Sequence, residues 1–306
     1  MLRILLIITG FVIMIVQQYV FQIPDHWQYI GFVFGIVLVG IPHGSADVLV
    51  ASKNARNGRA FSGKNFLLQY IGRLLLFATL LFLFPFLGLL IFIIFAAYHF
   101  GETDLYFFQT EHLPGKMVVV SYGFVILSVI IFSNLNELKL LLLNAGLHWE
   151  NTFIYNLVFN YRSAFQSFSV ILFFATLFFY FIKTGYKDVI PDSFMIQFAL
   201  LVVILYNLPL VTGFTFYFII WHSVLSLKNI ISYLKSNGLN SVFAIFKQIS
   251  FYSILALLGI VICGMASFMF VNNQRIIMWI FGALAVLTAP HMEVMHSMYK
   301  NIRIKK

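Results

Sequence analysis

Runs of roughly twenty apolar residues follow one another along almost the whole chain, broken by short polar stretches such as SKNARNGRAFSGKN, residues 52–65. At 1.5 Å per residue, a run of that length matches the hydrocarbon thickness of a bilayer. Hydrocarbon offers the backbone no hydrogen bonds, so each run must satisfy its own amides as a helix. Composition enters here. Of 306 residues, 61% are hydrophobic and 9% charged, with a mean hydropathy of +0.95; soluble domains carry about 25% charged residues. The expected fold is an all-α polytopic transmembrane helix bundle, forming a single integral membrane domain over residues 1–306. It is expected to be multi-pass in the cell (inner) membrane.

A ruler of about twenty residues gives about ten spans: roughly 3–22, 28–51, 66–84, 85–108, 115–134, 163–183, 193–208, 209–235, 245–271 and 274–300. The third and fourth divide near Pro85, and the semi-polar stretch up to Tyr161 is expected to hold an interfacial helix. The first run, LRILLIITGFVIMIVQQYV, is long and is followed by no small-residue cleavage pattern, so it reads as a retained span. An even number of spans puts both termini on one side. If that side is cytoplasmic, only Lys139, Arg162 and Arg275 fall outside and only Arg73 falls within a span; all the other basic residues lie inside. The net charge of +9 is therefore a topology signal and an attraction to anionic lipid. No basic face with interleaved aromatics exists, which argues against nucleic acid. The single cysteine, Cys263, excludes an intrachain disulfide.

Ionisable groups inside spans cost about 2.5–3.5 kcal/mol each on insertion scales, so they face protein and mark function. The candidates are His43 and Asp47 in GIPHGSADV, His99, Glu102 and Asp104 in AAYHFGETDL, His222 in IIWHSVLS, and His291, Glu293 and His296 in TAPHMEVMHSMY. Asp104, Glu293 and His296 read as groups near the cytoplasmic interface. His26, His112 and His148 fall in loops and read as solvated.

His43, His99, His222 and His291 lie in the second, fourth, eighth and tenth spans, which all run in the same direction. Each is about 12 to 17 residues from its helix start, so their depths agree within about 8 Å. Four imidazoles at one level in a bundle interior can converge, and neutral imidazole is the commonest ligand of first-row metals. Asp47 follows His43 by four residues, Glu102 follows His99 by three, Ser226 follows His222 by four, and Thr288 precedes His291 by three. Each such neighbour shares a helix face with its histidine and is positioned to support the non-ligating nitrogen or a water. Pro42 and Pro290 bend the chain just before a histidine, and Gly40 and Gly44 allow close helix approach.

An all-imidazole site without thiolate suits iron, copper or zinc. A membrane haem-binding electron carrier is one alternative, with two histidines as axial ligands. A proton-coupled transporter using Asp47, Glu102 and the histidines as a relay is another, although no inverted repeat is visible. The HxxxH and HxxHH boxes of di-iron membrane hydroxylases are absent, as are phosphate-binding loops, GxSxG and HExxH. The 37 phenylalanines and 15 tyrosines would suit an interior that takes a long apolar ligand from lipid.

The series PHGSAD, YHFGETD, WHS and the late PHM, in this order, resembles the bacteriorhodopsin-related-protein-like family, membrane β-carotene 15,15′-dioxygenases of bacteria and archaea. The resemblance runs from about residue 28 to 300. It implies cleavage of the central 15,15′ double bond of β-carotene by O2 to give two molecules of retinal. It also implies an Fe(2+) cofactor held by histidines, and a rhodopsin as acceptor of the retinal. His43, His99, His222 and His291 match the family's histidine motifs. Val48 stands where many members have a histidine after the aspartate, and Ser226 where some carry a second histidine after WHS. His291, a carboxylate or water would then complete the ligand set. Tyr98 and Trp221, each directly before a histidine, are candidate polyene contacts. No catalytic residue beyond the metal centre is assigned.

Overall fold

A computed structural model describes residues 1–54, 61–144, 152–185, 191–239, 241–268 and 276–304. His148, Arg56, Arg59, Lys187, Arg275, Lys305 and Lys306 lie outside the described residues, as does the side chain of Cys263.

The described residues form helices and no strand: α1 (Leu2–Val20), α2 (Asp25–Asn54), α3 (Gly63–Leu83), α4 (Pro85–Asp104), α5 (Leu113–Ser133), α6 (Leu135–Asn144), α7 (Phe153–Asn160), α8 (Arg162–Thr184), α9 (Phe194–Asn207), α10 (Leu210–Ser236), α11 (Val242–Phe268) and α12 (Ile276–Ile304). Among them, eight are long and apolar enough to cross a bilayer: α1 to α5, α8, α10 and α11. The protein is an all-α polytopic bundle. α9 has 14 residues, about 21 Å of helix, and is shorter than the seventh expected span because Pro209 starts α10 directly after an extended Leu208. α12 runs for 29 residues. Pro85 opens α4, where its missing N–H is harmless. The semi-polar stretch before Tyr161 holds two short helices, α6 and α7.

Lipid tails are as apolar as leucine, so helices in a bilayer associate through close packing and hydroxyl hydrogen bonds. α5 uses both. Its Ser121 and Ser128 hydroxyls meet Thr176 and Ser169 of α8, each at 2.7 Å. On its other side, α4 comes backbone to backbone. A Cβ added at Gly101 would collide with the Val119 carbonyl oxygen, and one at Gly123 with that of Ala97. This contact buries the end of α4 and the acidic groups it carries. α3, by contrast, turns Leu67, Leu68, Leu75 and Leu76 outward.

One end of the bundle collects polar groups from α1, α2, α5, α6, α9 and α10. Gln18 donates to the Asn207 carbonyl, Asn134 to that of Leu208, Glu137 accepts the Leu210 N–H, and Thr212 bonds Gln28. Arg3, Asp104, Glu102 and Arg303 meet at the other end. Among the described residues, three helices contain wide π-type turns with i→i+5 bonding: Val16–Val20 in α1, Ile36–Gly40 in α2 and Phe216–Ser223 in α10. Such turns are rare and concentrate at functional sites.

Candidate metal centre

Local geometry delivers the four histidines inward. In α2 a wide turn at Ile36–Gly40 leads into Pro42 and His43. His99 lies on α4, two residues before the glycine that touches α5. His222 sits inside the wide turn of α10, and His291 follows Pro290 within α12. A proline in a helix interior removes one backbone hydrogen bond and bends the axis.

The structure brings all four rings together. The donor atoms of His43, His99 and His222 lie within 4.8 Å of one another. His222 Nε2 is 3.0 Å from His99 Nε2, and His291 Nε2 is 2.9 Å from His43 Nε2. The His99 ring centroid is 4.8 Å from that of His291, and those of His43 and His222 are 5.4 Å apart. None is more than 7% exposed. Ring nitrogens from α2, α4 and α10 therefore form one buried group, and His291 of α12 joins it through His43.

Asp47 lies one turn after His43, yet it serves the opposite ring: His291 Nδ1–H donates to Asp47 Oδ1 at 2.8 Å. The Tyr70 hydroxyl of α3 donates to Asp47 Oδ2 at 2.9 Å. A carboxylate accepting from Nδ1 fixes the tautomer, so His291 Nε2 presents its lone pair to the centre. The Nδ1 atoms of His43, His99 and His222 are buried without a hydrogen-bond partner.

The other neighbours lie elsewhere. Glu102 is fully buried and turns away from the imidazole of His99: its Oε1 accepts from His296 Nδ1–H at 2.8 Å and from Arg303 at 3.1 Å, with the Tyr98 hydroxyl at 3.3 Å. Thr288 donates to the Leu284 carbonyl of its own helix, and Ser226 is fully buried. Two of the residues expected near the cytoplasmic interface are engaged inside the protein. Asp104 is fully buried, because α4 packs so closely on α5; it accepts from Trp221 Nε1–H at 3.0 and 2.9 Å, and from the hydroxyls of Tyr122 at 2.8 Å and Tyr217 at 3.3 Å. His296 is tied to Glu102 and Tyr98. Glu293 does reach outward, pairing with Arg73 at 2.9 Å. His26 and His112 are exposed; His112 precedes α5, whereas His26 lies in the first turn of α2 rather than in a loop.

Tyr70, Tyr122, Tyr217, Arg3 and Arg303 were not foreseen. Their partners are far away in sequence, and no helical spacing connects them. An early signal was available only for Asp104, which shares the YHFGETD stretch with His99.

The chain matches the family model "Beta-carotene 15,15'-dioxygenase" over residues 34–299. It belongs to this family. No curated protein and no solved structure matches it. The match includes all four converging histidines, and as a member of the β-carotene 15,15′-dioxygenase family the protein is a carotenoid-cleaving enzyme.

A cavity of about 710 Å³ in this dioxygenase lies between α3, α4, α5 and α12. Phe77, Leu80, Ile91 and Phe95 form its apolar wall, with Tyr98 and His296 toward the end where Arg73 and Lys116 stand. The four converging histidines do not line it. They lie behind the wall, since Tyr98 directly precedes His99 and Ala289, another lining residue, is two before His291. Trp221 is buried against Asp104 and does not line it.

Proposed function

We propose that the protein cleaves the central 15,15′ double bond of β-carotene with O2, giving two molecules of all-trans-retinal, at an Fe(2+) held by His43, His99, His222 and His291. Family membership supports the substrate. One observation supports the metal: the buried donor atoms of His43, His99 and His222 lie within 4.8 Å of one another, with His291 Nε2 2.9 Å from His43 Nε2. The donor set fits. Nitrogens about 2.1 Å from a shared ion stand about 3 Å apart at right angles, close to the 2.9 and 3.0 Å spacings seen between the paired rings. Neutral nitrogen ligands suit ferrous iron. The same short spacings leave no slot for a porphyrin between facing rings, which disfavours the haem reading.

Bound there, ferrous iron supplies the one-electron chemistry that lets O2 react with an alkene. Everything else falls to the chain. Asp47, held by Tyr70, keeps the proton of His291 on Nδ1. Burial of all four rings keeps bulk water from the centre. The substrate lives in the bilayer, and the apolar cavity beside α3 gives it a path from lipid, with Tyr98 as the contact next to His99. Regiospecificity is then a matter of positioning the middle of the polyene. Retinal is released into the cell membrane, within reach of a rhodopsin. The test is expression in cells that accumulate β-carotene, with retinal assayed by chromatography. Loss of orange colour with appearance of retinal is expected; an unchanged carotene pool in cells that hold the inserted protein overturns the proposal.

A further inference from the structure

The wide turn Phe216–Ser223 extends over eight residues, longer than the single turns in which π-helix normally appears. It costs favourable α-helical geometry, so something must hold it. Two side chains within it, Tyr217 and Trp221, reach across to one carboxylate on another histidine-bearing helix. Asp104 of α4 accepts the indole N–H through both oxygens, at 3.0 and 2.9 Å, and the Tyr217 hydroxyl at 3.3 Å. Tyr122 of α5 adds a third donor at 2.8 Å. All four side chains are at most 2% exposed. Arg3 of α1 donates to the Asp104 main-chain oxygen at 2.6 Å and lies 5.8 Å from the Trp221 ring, bringing positive charge to a buried anion. At the end of the turn, the Ser223 hydroxyl bonds the Phe218 carbonyl at 2.7 Å, five residues back.

His222 directly follows Trp221, and His99 precedes Asp104 by five residues on α4. The clamp therefore joins the two helices whose histidines face each other at 3.0 Å. In an α-helix each residue advances about 100° around the axis. Relaxing the wide turn to α-helical register would rotate the following side chain by an angle of that order and swing the His222 ring away from His99. Among the described residues His222 has no partner on Nδ1, so its aim is set by the backbone that carries it and by the rings of Phe100, Tyr217 and Phe218 packed around it.

We propose that Asp104 is a positioning residue for the metal centre: by gripping Trp221 and Tyr217 it maintains the wide turn that aims His222 at His99. This rests on the four histidines binding a metal. It assigns Trp221 to holding His222 rather than to touching the polyene.

The test uses full-length protein purified in detergent, stripped with chelator and titrated anaerobically with cobalt(II), whose visible bands report ligand geometry. Tyr217→Phe keeps the ring and removes the donor; Trp221→Phe removes the donor and reduces the buried indole to a phenyl. Each is expected to weaken cobalt binding, Trp221→Phe by about 10- to 100-fold, as losses around metal ligands commonly do, and to shift the bands. Tyr217→Phe, with the longer bond, loses less. Asp104→Asn, which turns a donor toward three donors, loses most; if it fails to accumulate, the two aromatic variants carry the test. A double-mutant cycle separates aiming from general stability: in a His222→Ala background, Trp221→Phe should cost no further affinity. An equal loss in both backgrounds, or wild-type affinity and bands in Trp221→Phe, overturns the inference. Wild-type protein that takes up no cobalt or iron overturns the metal site itself, a different result from either.

Discussion

The imidazole cluster has two halves that are held in different ways. His291 and His43 meet at 2.9 Å, and the chain of support runs through a ring nitrogen: His291 Nδ1 to Asp47, Asp47 to Tyr70. His99 and His222 meet at 3.0 Å with neither Nδ1 partnered. There the support runs through backbone neighbours, by way of Trp221 on Asp104 and Gly101 against α5. In the first half His291 is oriented at the ring, while His43, like His99 and His222, has no Nδ1 partner among the described residues; the second half is oriented at the helix. Both arrangements bring two ring nitrogens to about 3 Å of each other, but they should fail differently: the first by losing a tautomer, the second by losing a register.

Replacing a histidine from each half breaks the comparison most completely. His43→Ala and His99→Ala should each reduce retinal formation to background while the protein still inserts, read as retinal by chromatography against protein in the membrane fraction. Full activity in both would remove the metal assignment. Next in size is Asp47→Ala, expected to weaken metal binding by about 10- to 100-fold, measured by titrating stripped protein. Because Asp47 acts on His291 alone, the loss should vanish in a His291→Ala background; a loss of the same size there would make Asp47 a general packing group. Gly123→Ala probes the helix-held half. Its Cβ collides with the Ala97 carbonyl, and overpacking of this kind costs about 1–3 kcal/mol. A lowered melting temperature in detergent is expected, and an unchanged one would mean that α4 and α5 can separate freely. The smallest effect belongs to Thr288→Val, which removes only a bond to the Leu284 carbonyl of its own helix; stability should stay within about 0.5 kcal/mol and metal content should not change.

Helix identity and the level of the histidines were readable because hydrophobic length and position along a helix are one-dimensional quantities. His43, His99, His222 and His291 could be placed at one depth by counting, and the structure brings their rings together. Counting could not say which way a neighbouring carboxylate turns. Asp47 is spaced to serve His43 and serves His291; Glu102 is spaced to serve His99 and binds His296 and Arg303. Helical spacing puts residues on a shared face, whereas a hydrogen bond is made with whatever the next helix presents. Asp104 does stand at a helix end, and what counting could not show is that it is buried there, where Gly101 and Gly123 let two backbones touch.

The amino-acid order alone determined that this chain crosses a bilayer as helices, since no other form satisfies an isolated backbone in hydrocarbon, and that four imidazoles share a depth. Only the tertiary structure decided which nitrogen faces inward, which carboxylate supports which ring, and that a stretched turn in α10 carries His222. Those choices depend on contacts between helices 18 to 244 residues apart in sequence, made where burial obliges each polar group to find its partners on neighbouring helices.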